Sequence, residues 1–548
     1  MSRRTLLRSI AVGGAALAAP AVLTACSTGS GGGGSVSNAG KKAVPWPAYT
    51  PTDGPAPDLA PTAEGVQAGY TKYPERLVRA TAEKPGDGKQ KIKVLTITYG
   101  TPPKPVGRNK YWQAVNEALG VEIEFTVVPD ADFRAKMSTL MSGDDLPDMI
   151  NFGGGYVLPR ESQFVKARCA DLSEHLSGDA AKDYPHLAGI PTYAWEGMGR
   201  IAGRIYGVPV ERAKVQGAMF INREAFDEAG YRPGMSAADF RAMAKEASRG
   251  KRFALGASTV GFFGYLYHAM WHGAPNQWRI KDGKVTDMYG TDAFKAALEY
   301  MATLRRDGSY NPDATSISQV DLKTQFHNGT VRSMTDGWGA VMSNAQGIKD
   351  EFTLDVAEPY AVSGVGGDTP VYQQNRGCFG YTVIKKASKE RVRLMLRVLN
   401  WLASPFGTKE YELTHYGVEG THFRYDKAGD PVATELGLVD SRTNLPFPYL
   451  MDAPQPLYFP GFPDLTKRLH AWQRKVVPLL VPDDHWGLMS DTYNRQSATM
   501  DQIITDGVTA VVAGRKKLSD WDGIYEKWRS QGGKRSAEEF LKEYEAAH

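Results

Sequence analysis

Cysteine is scarce in this chain: of 548 residues only Cys26, Cys169 and Cys378 carry a thiol. Three thiols do not make the disulfide framework that holds small secreted domains together. An excess of one charge is missing as well, with 65 Lys and Arg against 61 Asp and Glu. Three of the four net positive charges fall at Arg3, Arg4 and Arg8, so the rest of the chain is nearly neutral. That balance excludes the basic patch or stripe of a nucleic-acid binder. No apolar run reaches the ~20 residues of a membrane-spanning helix. No repeat, heptad series or Gly-x-Ser-x-Gly elbow of a hydrolase occurs.

What is present begins at the N-terminus. The first 25 residues hold three arginines and no acid, then an apolar or small stretch from Ile10 to Ala25. A basic start, a short apolar core and small residues before the cut describe an export signal over 1–25. The ending Leu23-Thr24-Ala25-Cys26 is similar to a lipobox, which implies a diacylated Cys26 carrying palmitate-like chains. Two acyl chains give a stable anchor where one is marginal. Ser2-Arg3-Arg4-Thr5-Leu6-Leu7 resembles a twin-arginine export motif; a general secretory signal that holds two arginines is the competing reading. Residues 27–40 are Gly/Ser-rich and 41–90 hold eight prolines. Together, 26–90 reads as a tether, flexible first and then extended over the surface.

From Lys91 the pattern turns regular. Ile92, Val94 and Ile97 predict a strand ending at Tyr99, and Trp112, Val115 and Leu119 a helix stopped by Gly120. Alternation from Val121 to Val127 predicts a strand, Phe133 to Met141 a helix, and Leu146–Ile150 a short strand. Strand, helix, strand, helix, strand with short joins indicates a parallel α/β sheet. The pattern resumes at 218–221, where Asn222 caps a helix and Ser236 with Asp239 resembles a capping box. Helical faces follow at Phe294–Leu304 and Val392–Leu402, and Ser536 with Glu539 predicts the cap of a last helix. A chain this long exceeds one core, and two α/β stretches suggest two lobes.

Several segments carry a family resemblance. They are Asn109-Lys110-Tyr111-Trp112, the run Ser142 to Ile150, Ile205-Tyr206-Gly207-Val208-Pro209, and Ile221 to Phe226. Phe326 to Val331 leading into Asp336-Gly337-Trp338, and Gly514 to Asp522, complete the series. In this order the chain resembles the family 1 extracellular solute-binding lipoproteins of ABC importers, above all the long carbohydrate-binding subgroup. The resemblance implies an α/β, two-lobed periplasmic-binding-protein type II fold with a hinged ligand cleft. It implies lobe one over 91–212 plus 375–442 and lobe two over 216–370 plus 445–548. Cys169 and Cys378 then share lobe one, either bridged or as two buried small side chains. Some long relatives carry a calcium loop where this chain has Ala247 to Arg252, which lacks the spaced carboxylates calcium needs. No metal and no cofactor is expected.

A sugar site needs rings to cover C–H patches and polar groups to fix hydroxyls. In open α/β sheets ligands meet the carboxyl ends of strands. That rule selects Tyr99, Thr101 and Asn109 after the first strand, and Phe152 and Tyr156 around Gly153-Gly154-Gly155; a plain turn between two core rings is the alternative for the latter. The resemblance adds Trp338, with Asp336 beside it. Trp271 and Trp278 lie in a predicted irregular loop of lobe two, and Trp195 just before the first crossing. The remaining tryptophans on helical faces, Trp112, Trp401, Trp472, Trp521 and Trp528, read as core. Asp144, Asp145 and Asp148 are too close in sequence to face one another across a scissile bond. His268 and His272 have zinc-ligand spacing without the adjoining glutamate.

The resulting expectation is a non-catalytic, monomeric, lipid-anchored receptor on the outer face of the cell membrane. It captures a small-molecule ligand, an oligosaccharide, and delivers it to ABC permease subunits. The alternatives are a secreted carbohydrate-active enzyme and a receptor for a peptide or other solute.

Overall fold

The computed structural model describes residues 36–547 except 216, 260–263, 349–350, 363–369 and 441–444. The export signal, Cys26 and the start of the tether lie outside the described residues.

Two hydrophobic cores organise the chain, each around its own sheet. The first sheet has β1 (Gln90–Thr98), β2 (Val121–Pro129), β3 (Met149–Phe152) and β4 (Gly207–Glu211). The second has β5 (Gly217–Asn222), β6 (Ser333–Gly337) and β7 (Leu354–Val356). The chain then returns to the first sheet as β8 (Cys378–Ile384). The first order is β2-β1-β3-β8-β4 and the second β6-β5-β7. β1 runs parallel to β2 and β3, as the alternation predicts. β8 inserts antiparallel between β3 and β4, so the sheet is mixed. Nothing in the local pattern of 378–384 announces that direction, because a buried strand reads the same either way.

Local signals place most elements. Asn109 accepts from the Trp112 amide to start the helix Lys110–Leu119, and Gly120, at φ 62°, ends it. Asn222 caps Arg223–Glu228 and Ser236 caps Ala237–Glu246. The last helix differs from expectation. Ser536 lies inside Lys534–Ala547, which continues from a π-helical turn at Arg529–Gly533. Glu539 instead reaches the start of the 22-residue helix Asp491–Val512, accepting from the Thr492 amide and from the Ser490 and Thr492 hydroxyls. A carboxylate is favoured there because a helix N-terminus leaves its first N–H groups unpaired.

The chain crosses between cores three times, and the third crossing comes later than expected. Leu445, Phe447, Leu450 and Met451 belong to the first core, where Phe447 meets the rings of Tyr111 and Phe125. The second core resumes at Leu457. Residues 36–89 contain no helix and only isolated strand bridges. They run over both halves: Val44 and Thr50 bond Gly203 and Ala188, Gln67 bonds Gln473, and Tyr73 joins Phe406, Tyr411 and Tyr458 in a third small cluster.

The two cysteines are free and buried, which corrects the disulfide option. Cys169 bridges Lys385, beyond one end of β8, whereas Cys378 opens the other end. Seven residues of strand at ~3.3 Å each separate them by ~23 Å, against the 4.4–6.8 Å between Cα atoms that a disulfide requires. Burial pushes the Cys169 thiol up to about 12. A soluble form beginning after Cys26, unfolded without reductant, should therefore titrate two thiols with a thiol-reactive dye. Zero thiols would restore the bridge.

Candidate ligand-binding site

Parallel pairing sends the carboxyl ends of β1, β2 and β3 to one edge of the first sheet. β8 begins and β4 ends at the same edge, because Cys378 pairs with Glu211. Five segments therefore converge there, and they carry a dense set of rings. Tyr99, half exposed after β1, points its ring edge toward Tyr449 at 5.8 Å and Phe379 at 6.4 Å between centroids. Phe379 and Tyr449 stack at 4.7 Å, and the Arg212 guanidinium lies 5.3 Å over Phe379. Phe379 is the extra residue of a bulge in β8, between Cys378 and Gly380. A bulge turns a strand residue out of its ordinary alternation.

The glycine-rich loop makes this wall possible. A Cβ on Gly153 would stand 2.4 Å from the Phe379 ring, and one on Gly154 would stand 3.0 Å from both the Tyr99 hydroxyl and the Tyr156 ring. Gly154 and Gly155 also take φ of 76° and 70°, a region that favours glycine. Tyr156 is stacked on Phe133 and donates to Asp130 at 2.7 Å, while Arg134 lies 5.2 Å over its ring. The loop is thus a saddle that lets three rings approach one stretch of backbone.

The second half contributes the edge where β6 ends. β5 pairs Gly217 with Gly337, so Trp338 emerges next to the point where the first crossing arrives. Trp338 is 9% exposed and stacks on Trp472 at 5.3 Å. Its Nε1 has no hydrogen-bond partner among the described residues. Asp336 holds Lys323 at 3.0 Å. Arg212 and Gly217 are five residues apart, a reach of at most ~18 Å. The ring walls of the two halves accordingly flank one short crossing.

Two hollows are lined from both halves. One of about 820 Å³ is lined by Arg134 on the first side and by Ser258, Tyr265, Tyr289, Asp501 and Arg515 on the second. Asp501 is exposed to it, and Arg134 and His485 both act on its carboxyl to favour the charged form. The other, about 90 Å³, lies between Tyr156, Glu161 and Tyr381 on one side and Trp486 and Tyr493 on the other. Ligand sites of ordinary size occupy 300–1,000 Å³, so the first has the capacity for an oligomeric solute.

The residues selected from sequence separate into two groups. Tyr99 and Tyr156 meet around Gly154, Thr101 is exposed beyond Tyr99, and Asp336 and Trp338 lie together on the opposite edge. Asn109 is fully buried as a helix cap, Phe152 stacks inside on Tyr381 at 5.4 Å, and Trp195 is fully buried with its Nε1 donating to the Ile190 carbonyl. These three are interior, because side chains alternate about a strand and Trp195 faces the core side of its helix. Trp271 and Trp278 are also interior: they sit in a regular helix, Tyr265–Trp271, and a hairpin strand, Trp278–Lys281, rather than an irregular loop. Arg134, Arg212, Phe379 and Tyr449 were not legible as site residues. Phe379 depends on a bulge, and Tyr449 on a late return of the chain to the first core.

The other chemical possibilities are occupied by structural bonds. His268 hydrogen-bonds Tyr360 at 2.8 Å and Tyr310 at 3.1 Å, and burial drives its ring down to about 3. His272 donates to the His268 carbonyl at 2.7 Å. Asp148 accepts from the Lys93 amide and from Arg391, both at 2.9 Å, far from any partner carboxylate role. Among the described residues no group of three or more His, Cys, Asp or Glu is arranged to hold a metal ion. No described helix is long and apolar enough to cross a membrane.

Two α/β halves, each with its own sheet and core and joined by crossings between them, define a two-lobed solute-binding protein. Residues 110–414, more than half of the chain, match the family model of bacterial extracellular solute-binding proteins, and the chain belongs to that family. It is similar to lipoprotein LipO of Bacillus subtilis, 22% identical over 491 residues that cover 85% of this chain and 95% of that one. It is similar also to the polygalacturonan/rhamnogalacturonan-binding protein YtcQ of Bacillus subtilis, 22% identical over 477 residues, 84% of this chain and 92% of that one. Among solved structures, the S. pneumoniae ABC-transporter substrate-binding protein FusA in complex with kestose shares the fold. Its TM-score is 0.60 at 16% identity, covering 84% of this chain and 99% of that one.

The saddle can be tested directly. Gly153→Ala should cost ~1–3 kcal/mol in urea unfolding, the usual range for overpacking. Combining it with Phe379→Ala should recover part of that loss, since the added methyl then meets no ring. A double variant whose loss equals the sum of the two single losses would show that Gly153 and Phe379 are uncoupled.

Proposed function

We propose that this chain is the exported, lipid-anchored receptor of an ABC importer, and that it captures an oligosaccharide between its lobes and hands it to permease subunits. The observation that carries the sugar reading is the ring wall of Tyr99, Phe379 and Tyr449 with Arg212 beside it at the carboxyl edge of the first sheet; Trp338 and Asp336 are the candidates from the second half. Rings cover the apolar faces of a pyranose or furanose, while Arg212, Asp336, Thr101 and the Tyr99 and Tyr156 hydroxyls supply donors and acceptors for its rim. The saccharide-binding relatives support the same reading, and the lipobox-like ending at Cys26 supports the anchor. The lobes of this reading are about 91–212 with 375–451, and 217–372 with 457–547.

Binding without chemistry follows from how such a site works. Stacking and hydroxyl bonds are non-covalent, and a solute drives lobe closure only to the extent that it prefers the closed form. The hinge lies in the crossings, where few residues absorb the change in dihedral angles.

A melting-temperature screen of the soluble form against mono- and oligosaccharides tests the proposal. A solute at 100 times its dissociation constant adds ~2.7 kcal/mol, which a thermal shift registers. Tyr99→Ala should then weaken that solute about tenfold or more in calorimetry, as the loss of an aromatic anchor does. Stabilisation by peptides alone, with every saccharide silent, would replace the sugar reading.

A further inference from the structure

The three crossings meet at one buried carboxylate. Glu211 ends β4 at 3% exposure and is paired with Cys378 of β8. Its carboxylate accepts a short hydrogen bond from the Tyr193 hydroxyl and a longer one, 3.3 Å, from the amide of Gln455. Arg212, the next residue, opens the first crossing, and its amide bonds the Gly377 carbonyl of the second. Gln455 belongs to the third. One side chain is therefore in touch with all three of these crossings.

The surroundings are charged as well as buried. From the third crossing come Asp452, fully buried, and Gln455, which donates to Asp452 at 2.9 Å. Arg212 stands 4.0 Å from Asp452, whose other oxygen lies 3.1 Å from His415 Nε2 on the helix Lys409–Tyr416. From the helix Thr192–Met198 comes Tyr193, with the Lys214 ammonium of the first crossing 5.4 Å over its ring and Tyr49 acting on it electrostatically. From β8 comes the Cys378 thiol. The Arg212 guanidinium favours the charged form of Glu211, while Asp452 opposes it. Burial outweighs the Tyr193, Arg212 and Gln455 contributions, and the Glu211 carboxyl is held up to about 7.

We propose that Glu211 is a proton-operated hinge residue, which couples the relative position of the lobes to protonation at the crossing point. The physical argument is differential stabilisation. Two of the groups that favour the carboxylate, the Gln455 amide and the Arg212 guanidinium, ride on crossing segments, whereas Tyr193 rides on the first lobe. A hinge movement that carries the 452–456 segment away from β4 removes the long Gln455 hydrogen bond, but it also removes the opposing Asp452 charge and admits water to the carboxylate, while Tyr193 and Arg212 stay beside it. Burial is the dominant cost of the charge, so that movement comes with release of a proton. Protonation therefore favours the arrangement seen here, and ionisation favours the displaced one. This regulation rests on the two-lobed receptor reading but needs no knowledge of its solute.

Spin labels at exposed Lys136→Cys and Asp506→Cys, one on each lobe, read the lobe separation without any ligand. Between pH 5.5 and 8.5 the distance distribution should shift once, with its midpoint near neutrality, and should match this structure on the acid side. Glu211→Gln should abolish the shift. Tyr193→Phe, which removes a donor to the carboxylate, should move the midpoint to higher pH. An invariant distribution in the parent, an unchanged shift in Glu211→Gln, or an unmoved midpoint in Tyr193→Phe would each overturn the proposal. Because the readout is free of solute, a saccharide screen that fails leaves this result standing, and the reverse also holds.

Discussion

Everything in this molecule turns on the pairing of Glu211 with Cys378 at one edge of the first sheet. That single register places the exit of the first crossing beside the return of the second. It also puts the start of β8 among the carboxyl ends of three parallel strands, where loops are free to carry side chains toward a solute. Were β8 absent, the first sheet would end at β3 and neither Phe379 nor Arg212 would reach the ring wall. The two cores on either side are conventional; the constraint lies in joining them three times within one small region while leaving an open face between.

The wall itself is an exercise in close approach. Rings are wide, and three of them meet at a loop only where the backbone offers no Cβ. Gly153 and Gly154 supply that space, and the β8 bulge supplies the ring that fills it. In the second half, Trp338 rests on Trp472, whose own indole N–H donates to the Ala357 carbonyl. The second wall is therefore anchored through its helix to β7's end, so that a solute pressed against it meets a fixed surface. Pre-formed walls lower the ordering cost of capture.

Most of the first sheet was readable because its signals are local: alternation, helical spacing, a glycine after a helix, an asparagine before one. The same logic named Tyr99 and Tyr156 from their places after strands. It misjudged Asn109 and Trp195, since a polar cap or an aromatic near a crossing looks the same in sequence whether it faces solvent or core. It could not find Phe379 or Tyr449, whose placement depends on a bulge and on partners far away in sequence. The expected cap at Ser536 failed for a related reason. Glu539 does cap a helix, but a different one, and only tertiary structure selects which.

The segment before β1 has a consequence for the order of assembly. Ser37 and Asn38 bond Glu543, and Asn38 also grips Arg200 and Gly203 of the first half. Its Gln67 is matched to Gln473 and its Gly69 to Leu457. A chain synthesised from its N-terminus thus makes this band first and secures it last, after residue 543 has left the ribosome. The second core itself waits for Trp521, Trp528 and Phe540, so its closure and the docking of the band both fall at the end of synthesis.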